Sequence, residues 1–152
     1  QLSQKYIIDK VAALVDDARD KGAGILCGGT PGEGPGWFYR PTVITGITPD
    51  MRVDSEEVFG PVALLYRVDD ADEALRVAND TGFGLGASVW THDEAERRAL
   101  VDGLEAGMVF VNAMVASTPE LPFGGMKRSG YGRELADLGI REFCEAKSVW
   151  VD

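Results

Sequence analysis

An α/β fold, built as a parallel sheet with flanking helices, is predicted by three features of the sequence. Ile7, Ile8, Val11, Leu14, Val15 and Ala18 recur at the three- and four-residue spacing of one helix face. Between residues 62 and 111, short apolar runs alternate with helical patterns. Glycines gather where those segments must turn.

The first helix is bounded by Gly22, a stop signal past its last apolar residue. Ile25-Leu26-Cys27 then reads as a short strand, followed by a Gly-Pro-rich loop and the strand-like Thr42-Val43-Ile44 after Pro41. Val62 to Val68 is an apolar run. Asp70 to Asn79 is a helix with Ala71, Ala74, Leu75 and Ala78 on one face, and Ala87 to Trp90 is a strand, which together make a βαβ signature. Asp93 to Leu104 reads as a further helix, with acidic residues in its first turn where the dipole favours them, and Met108-Val109-Phe110-Val111 resumes extended structure. Beyond that point Pro119, Pro122 and the glycines from Gly124 to Gly132 rule out an ordinary helix or a central strand and predict a shaped loop. Leu135 to Phe143 reads as a helix, and Lys147-Ser148-Val149-Trp150-Val151 as a terminal strand with nothing after it in the chain to pair with.

A chain of 152 residues has the size of one domain and can bury about 70% of its unfolded surface. Its apolar share of 45% and charged share of 26% are those of a globular protein. Twenty-five acidic against 15 basic residues leave a net charge of −10, which repels a phosphate backbone, so no nucleic-acid partner is expected. No apolar run nears the ~20 residues of a membrane helix, and Gln1-Leu2-Ser3-Gln4-Lys5 lacks a signal-peptide layout; the expected compartment is the cytoplasm. Cys27 and Cys144 lie far apart and His92 is the only histidine, so neither a disulfide framework nor a metal site is expected. Both cysteines are expected to be small buried residues.

Two segments carry chemical interest. Glu56-Glu57-Val58-Phe59-Gly60-Pro61 sets paired acids and an aromatic before an apolar strand, at an edge where open α/β sheets present ligand-binding loops. Spacing alone allows equally a solvated acidic loop with Phe59 tucked into the core. Leu121 to Glu134 is richer in glycine than a simple connection requires, which implies a close backbone approach. A phosphate cradle is excluded, because Lys127 lacks the Walker spacing and no G-x-G-x-x-G unit joins a strand to a helix.

Taken together, Glu57-Val58-Phe59-Gly60-Pro61 and Pro122-Phe123-Gly124-Gly125-x-Lys127-x-Ser129-Gly130-x-Gly132-Arg133-Glu134 resemble the aldehyde dehydrogenase superfamily. Ala78-Asn79-Asp80-Thr81-x-Phe83-Gly84-Leu85 and Gly107 to Asn112 share the resemblance, which thus runs over essentially the whole chain. It implies an NAD- or NADP-dependent enzyme acting on a small aldehyde. Glu57 is similar to the acid that hydrogen-bonds the nicotinamide ribose, and Phe59 to the aromatic packed near the nicotinamide. Phe123 is similar to an apolar wall of the substrate tunnel, and Asn112 to a structural residue supporting that loop. The segment from Glu134 to Asp152 resembles the succinate-semialdehyde branch, where Ser117 matches a serine that hydrogen-bonds the substrate carboxylate.

The resemblance also implies what the chain lacks. Neither Cys27 nor Cys144 has the family's Gly-Gln-x-Cys context, and the catalytic cysteine, the general-base glutamate, the nucleotide-binding domain and the succinate-pairing arginines are expected upstream. The chain is therefore expected to be a piece of a longer enzyme, inactive as a dehydrogenase alone, with no catalytic residue of its own. Residues 1–146 correspond to the C-terminal part of the catalytic domain and 147–152 to a strand that joins a neighbouring subunit, making a homo-oligomer. The alternatives are an aldehyde dehydrogenase of another substrate branch, or an inactive assembly module.

Overall fold

A computed structural model describes residues 2–152, which divide into two compact units, 2–68 and 69–152. The fold is α/β, and its strands form three small sheets where one parallel sheet was expected.

In the first unit, α1 (Lys5–Asp20) buries Ile8, Val11, Leu14, Val15 and Ala18, the stripe that the sequence spacing marks. Burial of each large aliphatic side chain favours folding by about 1.5–3 kcal/mol, so this stripe is the main driving force of the unit. The helix ends where Gly22 takes a left-handed φ of 96°. Its apolar face meets Ile44 of β2 (Thr42–Thr45), with Tyr39, Met51 and Val53 completing the core. Strand β1 (Gly24–Cys27) pairs antiparallel with β2, and β2 pairs parallel with β3 (Val62–Leu65). The β1 ladder shifts register between Ile25 and Cys27, which leaves Leu26 exposed.

A one-turn helix, α2 (Arg52–Ser55), was not visible in the sequence. Four residues carry no periodicity. The helix is anchored from outside: the Asp17 carboxylate accepts a hydrogen bond from the Arg52 amide at 2.9 Å and pairs with Lys21 at 3.0 Å. Those two donors hold the Asp17 carboxyl below the usual carboxylate range.

In the second unit, α3 (Ala71–Asn79) is capped by Asp70, whose side chain accepts from the Glu73 amide. The short β4 (Phe83–Gly84) pairs antiparallel with β7 (Met126–Lys127). Strand β5 (Gly86–Val89) runs parallel to β6 (Met108–Val111) with α4 (Glu94–Gly103) crossing between them, so the βαβ unit that forms is β5–α4–β6. Asp93 caps α4 through the Glu96 amide. Helix α5 (Ala136–Arg141) is shorter at both ends than expected. Lys147 to Val151 forms no strand, and its side chains are exposed. A strand is defined by its ladder, and this segment finds no partner within the described residues.

Both cysteines are exposed, contrary to expectation. Cys27 ends an edge strand at the register shift, and Cys144 follows α5 in the exposed tail, so neither is covered by a second layer. No helix among the described residues is long and apolar enough to cross a membrane, and no cluster of metal-ligating side chains occurs among them.

Candidate functional site

The acidic segment of the first unit owes its shape to alternation. Val58 points inward against the core, so its neighbours Glu57 and Phe59 point outward. Gly60 follows because a side chain there would come within 2.7 Å of Val11 Cγ2 on α1. Phe59 is 66% exposed, so the alternative of an aromatic buried in the core is overturned.

The two adjacent acids do different things. Glu56 accepts a two-pronged hydrogen bond from the Arg52 guanidinium, at 2.7 and 3.2 Å, which lowers its pKa and raises that of Arg52. Glu57 uses its backbone carbonyl to accept from Lys10, while its exposed carboxylate has no partner among the described residues. A carboxylate with both oxygens open can accept hydrogen bonds from a hydroxyl pair, and an open aromatic ring beside it can stack a flat heterocycle.

In the second unit, the glycine run folds into a closed loop. Phe123 and Glu134 form its neck, each amide donating to the other's carbonyl at 2.7 Å. Gly107 lies so close that an added Cβ would sit 1.9 Å from the Gly124 carbonyl oxygen. The Arg133 guanidinium donates to the Gly125 and Gly132 carbonyls, both at 2.9 Å, and Ser129 Oγ accepts from the Gly84 amide at 3.0 Å. Arg128 stacks over the Phe83 ring at 5.1 Å. A cleft of about 510 Å³ opens along this loop, with half-buried Phe123 on its wall beside Leu85 and Leu135. Ser117 is exposed on the coil after β6 and does not line that cleft.

Asn112 was expected to support the glycine loop. Its side chain engages Thr91 in both directions, which stabilises the turn into α4. The polar anchors Asn79, Lys127, Ser129 and Arg133 carry the loop's geometry and were not singled out as functional in the sequence.

A sequence model of the aldehyde dehydrogenase family matches residues 2–149. The chain belongs to the aldehyde dehydrogenase family. It is 63% identical over 143 residues to a succinate-semialdehyde dehydrogenase [NADP(+)] of Mycobacterium ulcerans (strain Agy99), a match covering 94% of this chain and 31% of that protein. Among solved structures, succinic semialdehyde dehydrogenase from Streptococcus pyogenes in complex with NADP+ superposes with a TM-score of 0.92 at 39% identity, covering 99% of this chain and 33% of that one. Betaine aldehyde dehydrogenase from Staphylococcus aureus superposes with a TM-score of 0.86 at 34% identity, covering 92% and 29%. The chain thus spans about a third of the length of the family members it matches.

The only polar contact of each exposed thiol among the described residues is to a main-chain carbonyl. Among the described residues, Cys27 Sγ contacts the Pro41 carbonyl at 3.7 Å and Cys144 Sγ the Ile140 carbonyl at 3.5 Å.

Proposed function

We propose that this chain is part of an NAD(P)-dependent dehydrogenase that oxidises succinate semialdehyde to succinate. The observation that carries the reading is the 63% identity, over 94% of the chain, to an enzyme named for that reaction. The name of that relative favours NADP+ over NAD+ as the acceptor.

Aldehyde oxidation of this kind needs a thiolate that adds to the carbonyl, a hydride acceptor and a base that activates water. The bound nucleotide supplies the hydride acceptor. In this reading the Glu57 carboxylate accepts hydrogen bonds from the nicotinamide ribose and fixes its orientation. The Phe59 ring packs beside the nicotinamide and keeps water from it. Phe123 forms an apolar wall along the aldehyde's path, and the Ser117 hydroxyl donates to the distal carboxylate. The nucleophile and the base are supplied by residues outside this chain.

Two further parts of the proposal concern the setting. Residues 147–152 pair with a neighbouring subunit, which gives a homo-oligomer; support comes from the exposed, ladder-competent run Val149-Trp150-Val151. A reducing, cytoplasmic setting is supported by two free thiols with no disulfide between them.

The test is direct. The intact enzyme carrying these residues should reduce NADP+ when given succinate semialdehyde, Ser117→Ala should raise the aldehyde KM by about tenfold, as loss of a hydrogen bond to a charged group does, and the purified 152-residue chain should show no turnover. Aldehyde-dependent NADPH formation by the 152-residue chain would overturn the assignment of the nucleophile, and indifference of the intact enzyme to succinate semialdehyde would overturn the substrate.

A further inference from the structure

The glycine-rich loop poses a packing problem. From Met126 to Glu134 no side chain is fully buried, so apolar contact does not hold this segment in place. Polar anchors must do so, and one of them is saturated. The Lys127 side chain is 25% exposed, and its ammonium donates to the Asn79 carbonyl at 2.7 Å and the Thr81 carbonyl at 3.0 Å and pairs with Glu105 Oε2 at 2.6 Å. An ammonium has three N–H bonds, and all three are used.

The acceptors are well chosen for a cation. Asn79 is the last residue of α3, where helical carbonyls lack amide partners and carry the negative end of the helix dipole. The Asn79 side chain is itself locked, its amide donating to the Gly103 carbonyl at 2.8 Å and its oxygen accepting from the Glu105 amide at 2.9 Å. Lys127 therefore grips a rigid corner where the ends of α3 and α4 meet. Its own backbone is left-handed, with φ of 54°, a conformation that is strained for a non-glycine residue and persists only where the surroundings impose it.

We infer that Lys127 is the positioning residue for Phe123, its ammonium fixing the glycine-rich loop and hence the wall of the cleft. This rests on the reading of Phe123 as that wall. The path between them is short: Lys127 holds β7 on β4, Gly125 is tied to Arg133, Gly124 abuts Gly107, and Phe123 closes the neck with Glu134. Loosening the anchor frees the neck without touching the β5–β6 ladder.

Amide hydrogen exchange on the intact enzyme carrying these residues tests this. Lys127→Met keeps the aliphatic stem and removes the three donors; exchange at the Phe123 and Glu134 amides should speed up about tenfold while the Asn112 amide, bonded to the Val89 carbonyl, is unchanged. Glu105→Gln leaves both carbonyl contacts and should give a smaller acceleration at the same two amides. In the intact dehydrogenase, Lys127→Met should raise the aldehyde KM about tenfold with kcat within about twofold, because a displaced wall weakens substrate binding. Unchanged exchange at Phe123 and Glu134, or equal acceleration at Asn112, overturns the inference. A wild-type enzyme that ignores succinate semialdehyde overturns the substrate reading, while the exchange pattern decides the anchoring by itself.

Discussion

Asn112 closes the open end of the β5–β6 ladder on Thr91, its Nδ2 donating to the Thr91 carbonyl at 2.9 Å and its Oδ1 accepting from the Thr91 amide at 3.1 Å. The side chain thereby imitates one more rung of backbone pairing, which its own φ of 52° would otherwise end. Asn112→Ala should cost about 1–3 kcal/mol, from two lost hydrogen bonds and a strained φ. Asn112→Gly removes the same bonds and relieves the strain, so it should cost less. Urea unfolding of the two variants separates the terms, and equal losses would assign the whole effect to the hydrogen bonds.

Gly107 and Gly124 meet backbone to backbone. A methyl group at Gly107 would lie 1.9 Å from one carbonyl oxygen and 2.8 Å from the Gly125 Cα, and neither can swing aside as a side chain would. Gly107→Ala should therefore destabilise the second unit by about 3 kcal/mol or more, the upper range for overpacking. Thermal melting by circular dichroism reads this, and a loss below about 1 kcal/mol would show that the loop yields easily.

Asp17 ties pH to the stability of the first unit. Its pKa is lowered by the Arg52 amide first and by Lys21 second. A carboxyl with a depressed folded pKa adds stability above its unfolded value, near 3.9, and loses it as pH falls through the folded value. Asp17→Asn should thus be less stable than the parent at pH 7, and the gap should close below about pH 3.9. A gap that stays constant from pH 7 to pH 2 would mean that the carboxylate's charge contributes nothing.

The tail gives a prediction about assembly. Val149→Pro removes a backbone donor and fixes φ, both incompatible with a central rung of a ladder. Light scattering of the intact enzyme should show a shift toward smaller particles, and an unchanged mass would rule out pairing through this segment.

The sequence was most legible where a periodic pattern meets a buried face. The stripe from Ile8 to Ala18 marked α1, and Met108 to Val111 marked β6 to the residue. The elements β4, β7 and α2 escaped, because they are set by partners elsewhere in the chain: Phe83 by Lys127, and Arg52 by Asp17. Strand β1 was read at Ile25-Leu26-Cys27, but its antiparallel direction was hidden, since a short apolar run looks the same in either direction. At the candidate site, Glu57 and Phe59 were singled out by resemblance, and the structure adds why their side chains are open: Glu56 takes the arginine and Val58 takes the core. Lys127 could not have been read as an anchor, because its acceptors are main-chain carbonyls 46 and 48 residues away.

The interior of the first unit is almost wholly aliphatic, while Trp90 and Trp150 stand largely in water and Trp37 keeps 40% of its surface exposed. Indole emission from this chain should accordingly be red-shifted in the native state and barely move on denaturation, leaving it blind to loss of the core. The same placement makes it a sensitive optical gauge of company: a blue shift would report that another polypeptide surface has come to cover those rings.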